Sequence, residues 1–285
     1  MSRFSAIWAV PLAVCMAGAA VAADTATAQK IPVFSPGPNT GWVLDHAFGV
    51  DDLLPDPSGG PGPVVFDKAH PYIPNNFGPH STYRVADLNN PILQDWLKPP
   101  MKKANDEVLA GKVPYRARER CFPVGVPGFD AYSLVEPYFF YPLKNEIVVI
   151  NQGGPEIRHI YMNVPHSKNL KPSWYGESVG HYENGDTLVI DTIGQNDKTF
   201  TDNYRTPHTT QIHVIERWKL SADAKTIDVS VYVEDTGAFK MPWRAVQRWK
   251  RVDDAPILQV PCNENNDDHF SQGLVPLAKA DTPDF

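Results

Sequence analysis

The sequence lacks the motifs of the common nucleotide and redox-cofactor enzymes. Its 285 residues contain no P-loop, no dinucleotide-binding fingerprint and no CxxCH haem-attachment motif. It also has no long basic run, no internal repeat and no low-complexity tract. Nucleotide hydrolysis and nicotinamide redox chemistry are therefore disfavoured as functions, and we expect the protein to carry no cofactor.

Basic residues are outnumbered in this chain, and cysteine is scarce. The formal net charge is −7, and an acidic protein has little affinity for nucleic acid or anionic lipid. We therefore expect neither nucleic-acid binding nor membrane insertion, and a small-molecule ligand or substrate as the partner. Of the three cysteines, Cys15 lies in the targeting segment described next. In an oxidising compartment Cys121 and Cys262 would form one disulfide, worth about 5 kcal/mol because of the long loop it closes.

The first 22 residues are predicted to be a cleaved signal peptide. One basic residue, Arg3, precedes an apolar run from Ala6 to Val21 that ends in small alanines. The run is too short for a membrane span, so we predict a periplasmic or secreted protein. The alternative is a lipoprotein modified at Cys15, although Val14 is large for the residue before a lipidated cysteine.

Residues 23–120 are predicted to form a proline-rich arm on the main domain. The stretch Pro57–Pro63 is its least regular part. Aromatic residues spaced along the arm indicate that it is held against the core, since a disordered tail would carry fewer of them. The stretch Met101–Gly111 predicts one short helix, which follows a pair of prolines and ends at a glycine.

Residues 121–270 are predicted to be an antiparallel β domain, followed by a tail at 271–285. Several strand-like runs alternate apolar and polar residues, as strands with one solvated face do. The predicted strands are Glu146–Asn151, Arg158–Asn163, Ser178–Glu183, Thr187–Thr192, Gln211–Leu220, Ile227–Asp235 and Trp243–Val252. The fold is therefore predicted to be mainly β, an antiparallel meander that forms a small, lipocalin-like barrel or half-barrel. A two-sheet sandwich is the alternative.

Titratable side chains concentrate between Pro172 and Glu216, which makes this stretch the predicted site. Asn184-Gly185 favours a two-residue hairpin turn, which would place His181 opposite Leu188 on an apolar face. A histidine there could exchange protons, although such residues more often belong to a satisfied core. Asp191, on the second arm of the hairpin, is a further candidate catalytic residue.

Glu216 is the strongest candidate for a functional residue in the predicted site. The period of two places it between Val214 and Trp218 on the apolar face of its strand. A carboxyl group in that position must either have its pKa raised by desolvation or meet a partner. A raised pKa would suit acid/base catalysis, and a structural ion pair with an inward arginine or lysine is the alternative.

Two further candidate regions flank the hairpin. The connection Gly194–Thr210 is long for a compact domain, and such loops are often functional. It carries His208 and Asp197, which could assist catalysis, although Asp197 could equally face solvent in a turn. Trp174 and Tyr175 would lie at the mouth of the barrel, where they could stack on a ring-shaped substrate or plug the core.

Metal binding is weakly indicated. The candidate ligands are His166, His181, Glu183 and His208, but their spacing matches no known metal-site pattern. We therefore expect no bound metal, and we assign His166 to substrate binding together with the two aromatic residues.

Several stretches of the chain have a distinctive amino-acid sequence. They are Lys102–Lys112, Arg120-Cys121, Gly125–Gly128, His159–Ser167, Pro172–Phe200, Thr206–His208 and Cys262–Asn266. Together they resemble a large family of exported bacterial proteins, mostly described as domains of unknown function, and the resemblance covers nearly all of the chain after the signal peptide. It implies export and a single domain, but no activity. At the position of Tyr182–Asp186, the members of this family have a sequence that resembles WEGD. The stretch in this chain is one residue longer.

Two functions from different classes fit these observations. The first is an enzyme that acts on a small cyclic molecule (aromatic, terpenoid or sugar-like) by cofactor-independent acid/base chemistry, as a lyase, isomerase, cyclase or hydrolase. Glu216 and His181 would exchange protons, assisted by His208 or Asp197. The alternative is a binding protein for a small amphipathic ligand. Catalysis needs two titratable groups within reach of one cavity, whereas a carrier needs an apolar cavity with few charges.

Overall fold

The computed structural model describes residues 31–37, 39–48, 52–72, 84–112, 115–118, 121–131, 137–151, 153, 156–255 and 257–258. The predicted signal peptide, Cys15, Cys262 and the C-terminal tail lie outside these residues. Signal cleavage and the disulfide therefore stay predictions.

The described residues form ten strands and a few short helical segments. The strands are β1 (Gly41–Leu44), β2 (Leu54–Pro55), β3 (Tyr138–Pro142), β4 (Glu146–Asn151), β5 (Glu156–Met162), β6 (Glu177–Glu183), β7 (Thr187–Ile193), β8 (His213–Leu220), β9 (Thr226–Glu234) and β10 (Trp243–Val252). A 3-10 turn at Asp95–Leu97 leads into α1 (Lys98–Leu109), and α2 (Gly128–Ala131) follows later. Among these residues, none of the helices has the length and apolar character needed to cross a bilayer.

Nine of the described strands close into a barrel. Neighbouring strands follow chain order from β3 to β10, and β1 completes the ring by pairing with both β3 and β10. Every pair around the ring is antiparallel except β5 with β6, which is parallel. The strand β2 pairs with β10 beyond the end of β1. The predicted β-barrel is confirmed, and the sandwich alternative is wrong.

Most strands of the barrel wall are those predicted from alternating apolar and polar residues. Each strand predicted from alternation is present, with its ends displaced by no more than two residues. Helix α1 begins at Lys98, earlier than predicted, because Pro99 and Pro100 lie in its first turn. Proline suits that position, since first-turn N–H groups have no partner within the helix.

Three strands come from sequence that gives no strand signal. β1 and β2 belong to the proline-rich region predicted as an arm, and β3 (YFFYP) is an apolar run without alternation. The predicted arm therefore supplies a strand of the barrel as well as covering its surface.

Aromatic side chains fill the inside of the barrel. The rings of Tyr138 and Trp249 stack with centroids 4.8 Å apart, and Trp218 lies 5.1 Å from Trp249. Phe129 packs 4.6 Å from Tyr138, although it belongs to α2 and to no strand of the wall. The short helix α2 is therefore inserted into the barrel as part of its core.

One end of the barrel, which we call the capped end, is covered by the connections between strands. It is the end where β7 and β9 finish and where β5, β8 and β10 begin. Leu93 bridges to Phe239 in the β9–β10 connection. The side chain of Arg84 donates to Asp52 (Nε–Oδ2 2.7 Å), and Tyr204 in the β7–β8 connection donates to the same oxygen at 3.0 Å. The arm and the long connection thus form one cover over this end.

Candidate functional site

The hairpin between β6 and β7 has a three-residue loop. Glu183 pairs with Thr187, which leaves residues 184–186 outside the ladder. Asn184 and Gly185 both adopt positive φ, 53° and 74°, as residues of a tight hairpin loop do. The prediction of a two-residue turn is therefore wrong by one residue.

This shift overturns the predicted position of His181. A displacement of one residue moves every side chain of a strand to the opposite face. His181 pairs with Val189 instead of Leu188, lies on the outer face of the barrel, and has a side chain that is 53% exposed. Its Nε2 lies 3.2 Å from Glu183 Oε1. It cannot exchange protons with Glu216 inside the barrel.

Glu216 does point into the barrel, as predicted, and it meets a partner there. The guanidinium of Arg158 donates to both carboxylate oxygens, at 2.8 Å from Nη1 to Oε1 and through a second, shorter bond from Nη2 to Oε2. Arg158 also donates to the hydroxyls of Ser178 and Thr192 at 3.1–3.3 Å. All four residues are buried. Of the two alternatives for Glu216, the structure therefore contains the ion pair.

A second carboxyl group, that of Asp130, lies beside this ion pair. The helix α2 carries it into the barrel, where it is completely buried. Neither of its oxygens accepts a well-aligned hydrogen bond among the described residues, but Glu216 and the indole N–H of Trp218 lie close enough to interact with it. Burial and the charge of Glu216 raise the pKa of Asp130 well above its usual value. Both effects favour the uncharged form of Asp130, whose proton can be donated to the carboxylate of Glu216.

Glu156 lies between this cluster and the capped end. It precedes Arg158 by two residues on β5, so both point inward. Its carboxyl group is buried; Oε2 accepts a hydrogen bond from the Val124 amide at 3.4 Å, and Oε1 has no partner among the described residues. Burial raises the pKa of Glu156 to about 7, against the opposing charge of Arg118. A carboxyl group with that pKa can both accept and donate a proton near neutral pH.

A shallow cleft, whose empty volume of about 290 Å³ includes open solvent, lies near Glu156, although Glu156 itself is not one of its walls. Its walls are Arg116, Ala117, Arg118, Val124, Gly128, Phe200 and Asp202. Val124 and Arg118 thus border both the cleft and Glu156, and Gly128 is the first residue of α2. Burial raises the pKa of Asp202 to about 6. The cleft is therefore walled at the capped end by the first residue of the inserted helix and by one carboxyl group with a raised pKa.

The long connection brings together two residues of the NDKTF and TPH stretches. Thr199 Oγ1 lies 2.8 Å from His208 Nε2, and His208 Nδ1 lies 3.0 Å from the carbonyl oxygen of Thr209. Burial lowers the pKa of His208, so the imidazole is neutral; its Nδ1–H donates to Thr209 and its Nε2 accepts from Thr199. A built Cβ on Gly125 would stand 2.5 Å from Thr199 Oγ1. The Thr199–His208 pair is buried beneath Gly125, where it holds the β7–β8 connection in place.

The aromatic residues before the hairpin lie at the capped end of the barrel. Trp174 stacks on Phe122 with centroids 4.9 Å apart and an interplanar angle of 7°. Tyr175 contacts Phe129 edge-on at 6.0 Å, and its buried hydroxyl has no partner among the described residues. Asp197 is exposed on the surface and does not reach the interior.

His166 and Asp191 lie outside the barrel, away from Glu216. His166 Nδ1 is 3.1 Å from Glu177 Oε1, and its Nε2 is 3.0 Å from Asp191 Oδ1. His213 Nε2 lies 2.9 Å from the same Asp191 oxygen. Partial burial opposes the shift, but the hydrogen bonds from the two histidines lower the pKa of Asp191. In the part of the chain that the structure describes, no group of three or more His, Cys, Asp or Glu side chains could hold a metal ion.

The stretch Gly176–Gly180 reads GxSxG, the pattern around the nucleophile of α/β-hydrolases. In those enzymes the serine occupies a sharp turn between a strand and a helix. Here Ser178 lies within β6, and its buried hydroxyl is bonded to Arg158 and Thr192. Ser178 is therefore part of the barrel core and not a hydrolase nucleophile.

The predicted site residues thus fall into three separate places, and the interior cluster contains residues that the sequence did not single out. The alternation of the sequence could have identified Glu156 as an inward-facing residue, since it is in phase with Arg158 and Ile160. It was missed because the predicted strand began at Arg158, two residues after Glu156. Asp130 carried none, because four helical residues show no periodicity.

No protein-family model, curated protein or solved structure matches this chain. A function can therefore be inferred only from the geometry of the capped end and the barrel interior.

Proposed function

We propose that this β-barrel protein is an exported enzyme that acts on a small cyclic molecule without a redox cofactor. Its proton-exchanging residue is Glu156. The observation that carries this proposal is the state of that carboxyl group, which is buried, has one oxygen without a partner among the described residues and has a pKa of about 7. Such groups cluster at functional sites, because a structural carboxylate is normally paired.

The chemistry that suits this group is proton transfer to and from the substrate. Glu156 Oε1 takes a proton from a carbon atom, and the electron pair left behind either expels a leaving group or moves the double bond. Glu156 then returns the proton to the leaving group or to another carbon, so no co-reactant is consumed. Lyase, isomerase and cyclase reactions follow this scheme.

The predicted roles of the other residues change accordingly. Glu216 holds Arg158 in place and keeps a fixed pair of charges below the reacting group, and Asp130 adds an uncharged acid beside them. Trp174 and Tyr175 are assigned the role of aromatic contacts for the substrate at the capped end, while His181, Asp191 and His166 lie on the outer face. His208 positions the connection that walls the cleft.

A binding protein for an amphipathic ligand is the alternative. A carrier uses an apolar cavity with few charges. This barrel instead holds three buried carboxyl groups and a guanidinium among its aromatic side chains. The accumulation of titratable groups favours the enzyme.

The test is label incorporation from solvent, which detects turnover before the substrate has been identified. The mature protein is incubated with pooled aromatic, terpenoid and sugar-like compounds in D₂O, and mass spectrometry detects deuterium that enters any compound. We expect incorporation into one class of compound, at a rate that rises with pH through about 7 as Glu156 ionises.

Two variants decide whether the exchange belongs to Glu156. Glu156→Gln keeps the shape of the side chain and should abolish exchange. Glu146→Gln should leave it unchanged, because Glu146 faces outward on the neighbouring strand and pairs with His159 at 3.0 Å. Exchange that survives in Glu156→Gln, or no exchange with the wild-type protein, would refute the proposal.

A further inference from the structure

The connection between β5 and β6 is held against the outer face of the barrel by titratable side chains. These two strands are parallel, so the connection, residues 163–176, must return to the end of the barrel where both strands begin. Backbone hydrogen bonds hold it at Asn163, which donates to Gly180, and at Ser173, which donates to Gly194. Between these two points the side chain of His166 contacts two carboxyl groups. The attachment of this segment therefore depends on protonation.

The imidazole of His166 lies between two carboxylates. Its Nδ1 is 3.1 Å from Glu177 Oε1, and its Nε2 is 3.0 Å from Asp191 Oδ1. Partial burial opposes the shift, but hydrogen bonds from Ser167 and His166 lower the pKa of Glu177. Bonds from His213 and His166 lower the pKa of Asp191 in the same way. Near neutral pH both carboxyl groups are therefore ionised, and each can only accept hydrogen bonds.

This arrangement requires a charged imidazole. A neutral ring has one N–H donor and one nitrogen lone pair, and a lone pair that faces a carboxylate oxygen is repelled by it. Only the imidazolium form of His166 can donate to Glu177 and Asp191 at the same time. Histidine side chains change charge between about pH 5 and pH 8. Both contacts therefore form on the acid side of this range, and one of them is lost on the alkaline side.

A second histidine holds the carboxylate of Asp191 in place. His213 Nε2 lies 2.9 Å from Asp191 Oδ1, the oxygen that also meets His166. The hydrogen bond to Asp191 raises the pKa of His213 against its partial burial, and the charge of Glu234 on β9 adds to this shift. A charged donor makes a stronger bond to a carboxylate than a neutral one does. Rising pH therefore weakens both of the contacts that Asp191 receives.

The other charges around the two histidines do not oppose their protonation. The cluster has three carboxylates for two imidazoles, with Glu177 on β6, Asp191 on β7 and Glu234 on β9, which faces His213 across the ladder. The basic residues of the connection itself, Lys168 and Lys171, are exposed to solvent. Two bound protons therefore leave the cluster with one negative charge in excess.

We propose that His166, Glu177, Asp191 and His213 form a clamp that is closed when His166 is protonated and that releases residues 164–172 from the outer face of the barrel as the pH rises. The segment leads into Trp174 and Tyr175, the residues assigned to substrate contact. The clamp would thus regulate the support of that site according to the pH outside the cell, a consequence that rests on the proposed function of an exported enzyme.

Trypsin measures the opening of the clamp without a substrate for the enzyme. Lys168 lies in the released segment and is followed by Asn169, so trypsin can cut between them. Where opening is fast relative to cleavage, proteolysis follows the population of the open form. The rate of this cut is divided by the rate on a small peptide at the same pH, which removes the pH dependence of trypsin itself. For the wild-type protein this ratio should rise by about threefold or more from pH 6 to pH 8.

Two variants of the clamp should lose the pH dependence in opposite ways. His166→Gln does not titrate and cannot bridge both carboxylates, so cleavage should be fast at both pH values. In Asp191→Asn the new amide can donate to Nε2 of a neutral His166 while Nδ1–H donates to Glu177, so cleavage should be slow at both. His181→Gln is the matched control, because His181 also lies on the outer face near one carboxylate, Glu183 Oε1 at 3.2 Å, but at the other end of β6. It should keep the wild-type pH dependence.

A wild-type ratio that is equal at pH 6 and pH 8 would overturn the inference. So would a pH dependence that survives in either clamp variant, or one that is lost in His181→Gln. Failure of the proposed function is distinguishable, because the trypsin assay involves no turnover. Glu156→Gln should lose deuterium labelling and still show the wild-type pH dependence of cleavage.

Discussion

The uncharged state of Asp130 predicts an unusual dependence of stability on pH. A buried carboxyl group with a raised pKa keeps its proton in the native state, while the same group in the unfolded chain loses it above its ordinary value of 3.8. The unfolded state then binds fewer protons than the native state, so raising the pH favours unfolding. The stabilising contribution is complete below the unfolded pKa and is lost progressively as the pH rises toward the native pKa.

The substitution Asp130→Asn isolates this effect. Asparagine has nearly the shape of the protonated acid, can donate to Glu216 and does not titrate. The free energy of unfolding of the variant, relative to the wild-type protein, should rise by about 1.4 kcal/mol for each pH unit over which native Asp130 stays protonated. Near pH 4 the two proteins should differ little, and at neutral pH the variant should be the more stable one.

Urea denaturation followed by tryptophan fluorescence, from pH 4 to pH 8, measures this difference directly. Glu156 and Asp202 titrate in both proteins, so their contributions cancel in the comparison. Asp197→Asn is the control, because Asp197 is exposed and should give a difference that is independent of pH. A constant difference between Asp130→Asn and the wild-type protein would mean that Asp130 is ionised in the native state, and would refute this account of the interior cluster.

Two further substitutions test the packing around the site. In an Asp130→Asn background, Glu216→Gln should lower the free energy of unfolding by about 3–5 kcal/mol in urea denaturation, because it leaves a buried arginine without a counter-charge. The same change in the wild-type protein should lower it by less, since Asp130 can ionise in place of Glu216. Equal losses in the two backgrounds would contradict this coupling. Gly125→Ala should destabilise the fold strongly in a thermal melt, because Gly125 has φ of 74° and a Cβ there would meet a threonine hydroxyl at 2.5 Å. Gly59→Ala is its control, with φ of 90° but open space around it, and a matching loss there would show that φ alone sets the cost.

The wall of the barrel could be predicted because its strands are half-buried. Along β8, Val214, Glu216 and Trp218 alternate with His213 and Arg217, and this period of two fixes both the strand and the face of each side chain. The inward position of Glu216 followed from that pattern alone. Its partner did not, because Arg158 is distant in the sequence, and the period of two places it on an inward face without saying which carboxyl group it meets.

The remaining parts of the site depend on contacts that leave no local pattern. The loop at Asn184 differs from the predicted one by a single residue, yet that residue moves His181 from the inside of the barrel to the outside. The helix α2 has four residues, too few for a hydrophobic period to appear. Its place inside the barrel is set by the aromatic walls it fills, so neither Phe129 nor Asp130 could be recognised from the sequence.

The composition of the barrel interior itself favours a function in proton or charge chemistry. Replacing a buried ion pair with well-packed apolar residues is often neutral or stabilising, and aromatic side chains already line this interior. A barrel selected only for stability therefore has no need of Arg158 and Glu216, and still less of Asp130, a further buried acidic group whose desolvation costs free energy. Glu156 adds a buried carboxylate oxygen without a partner among the described residues. Such groups persist where the position of charge and of protons matters more than stability, and here all four of them are buried inside one barrel.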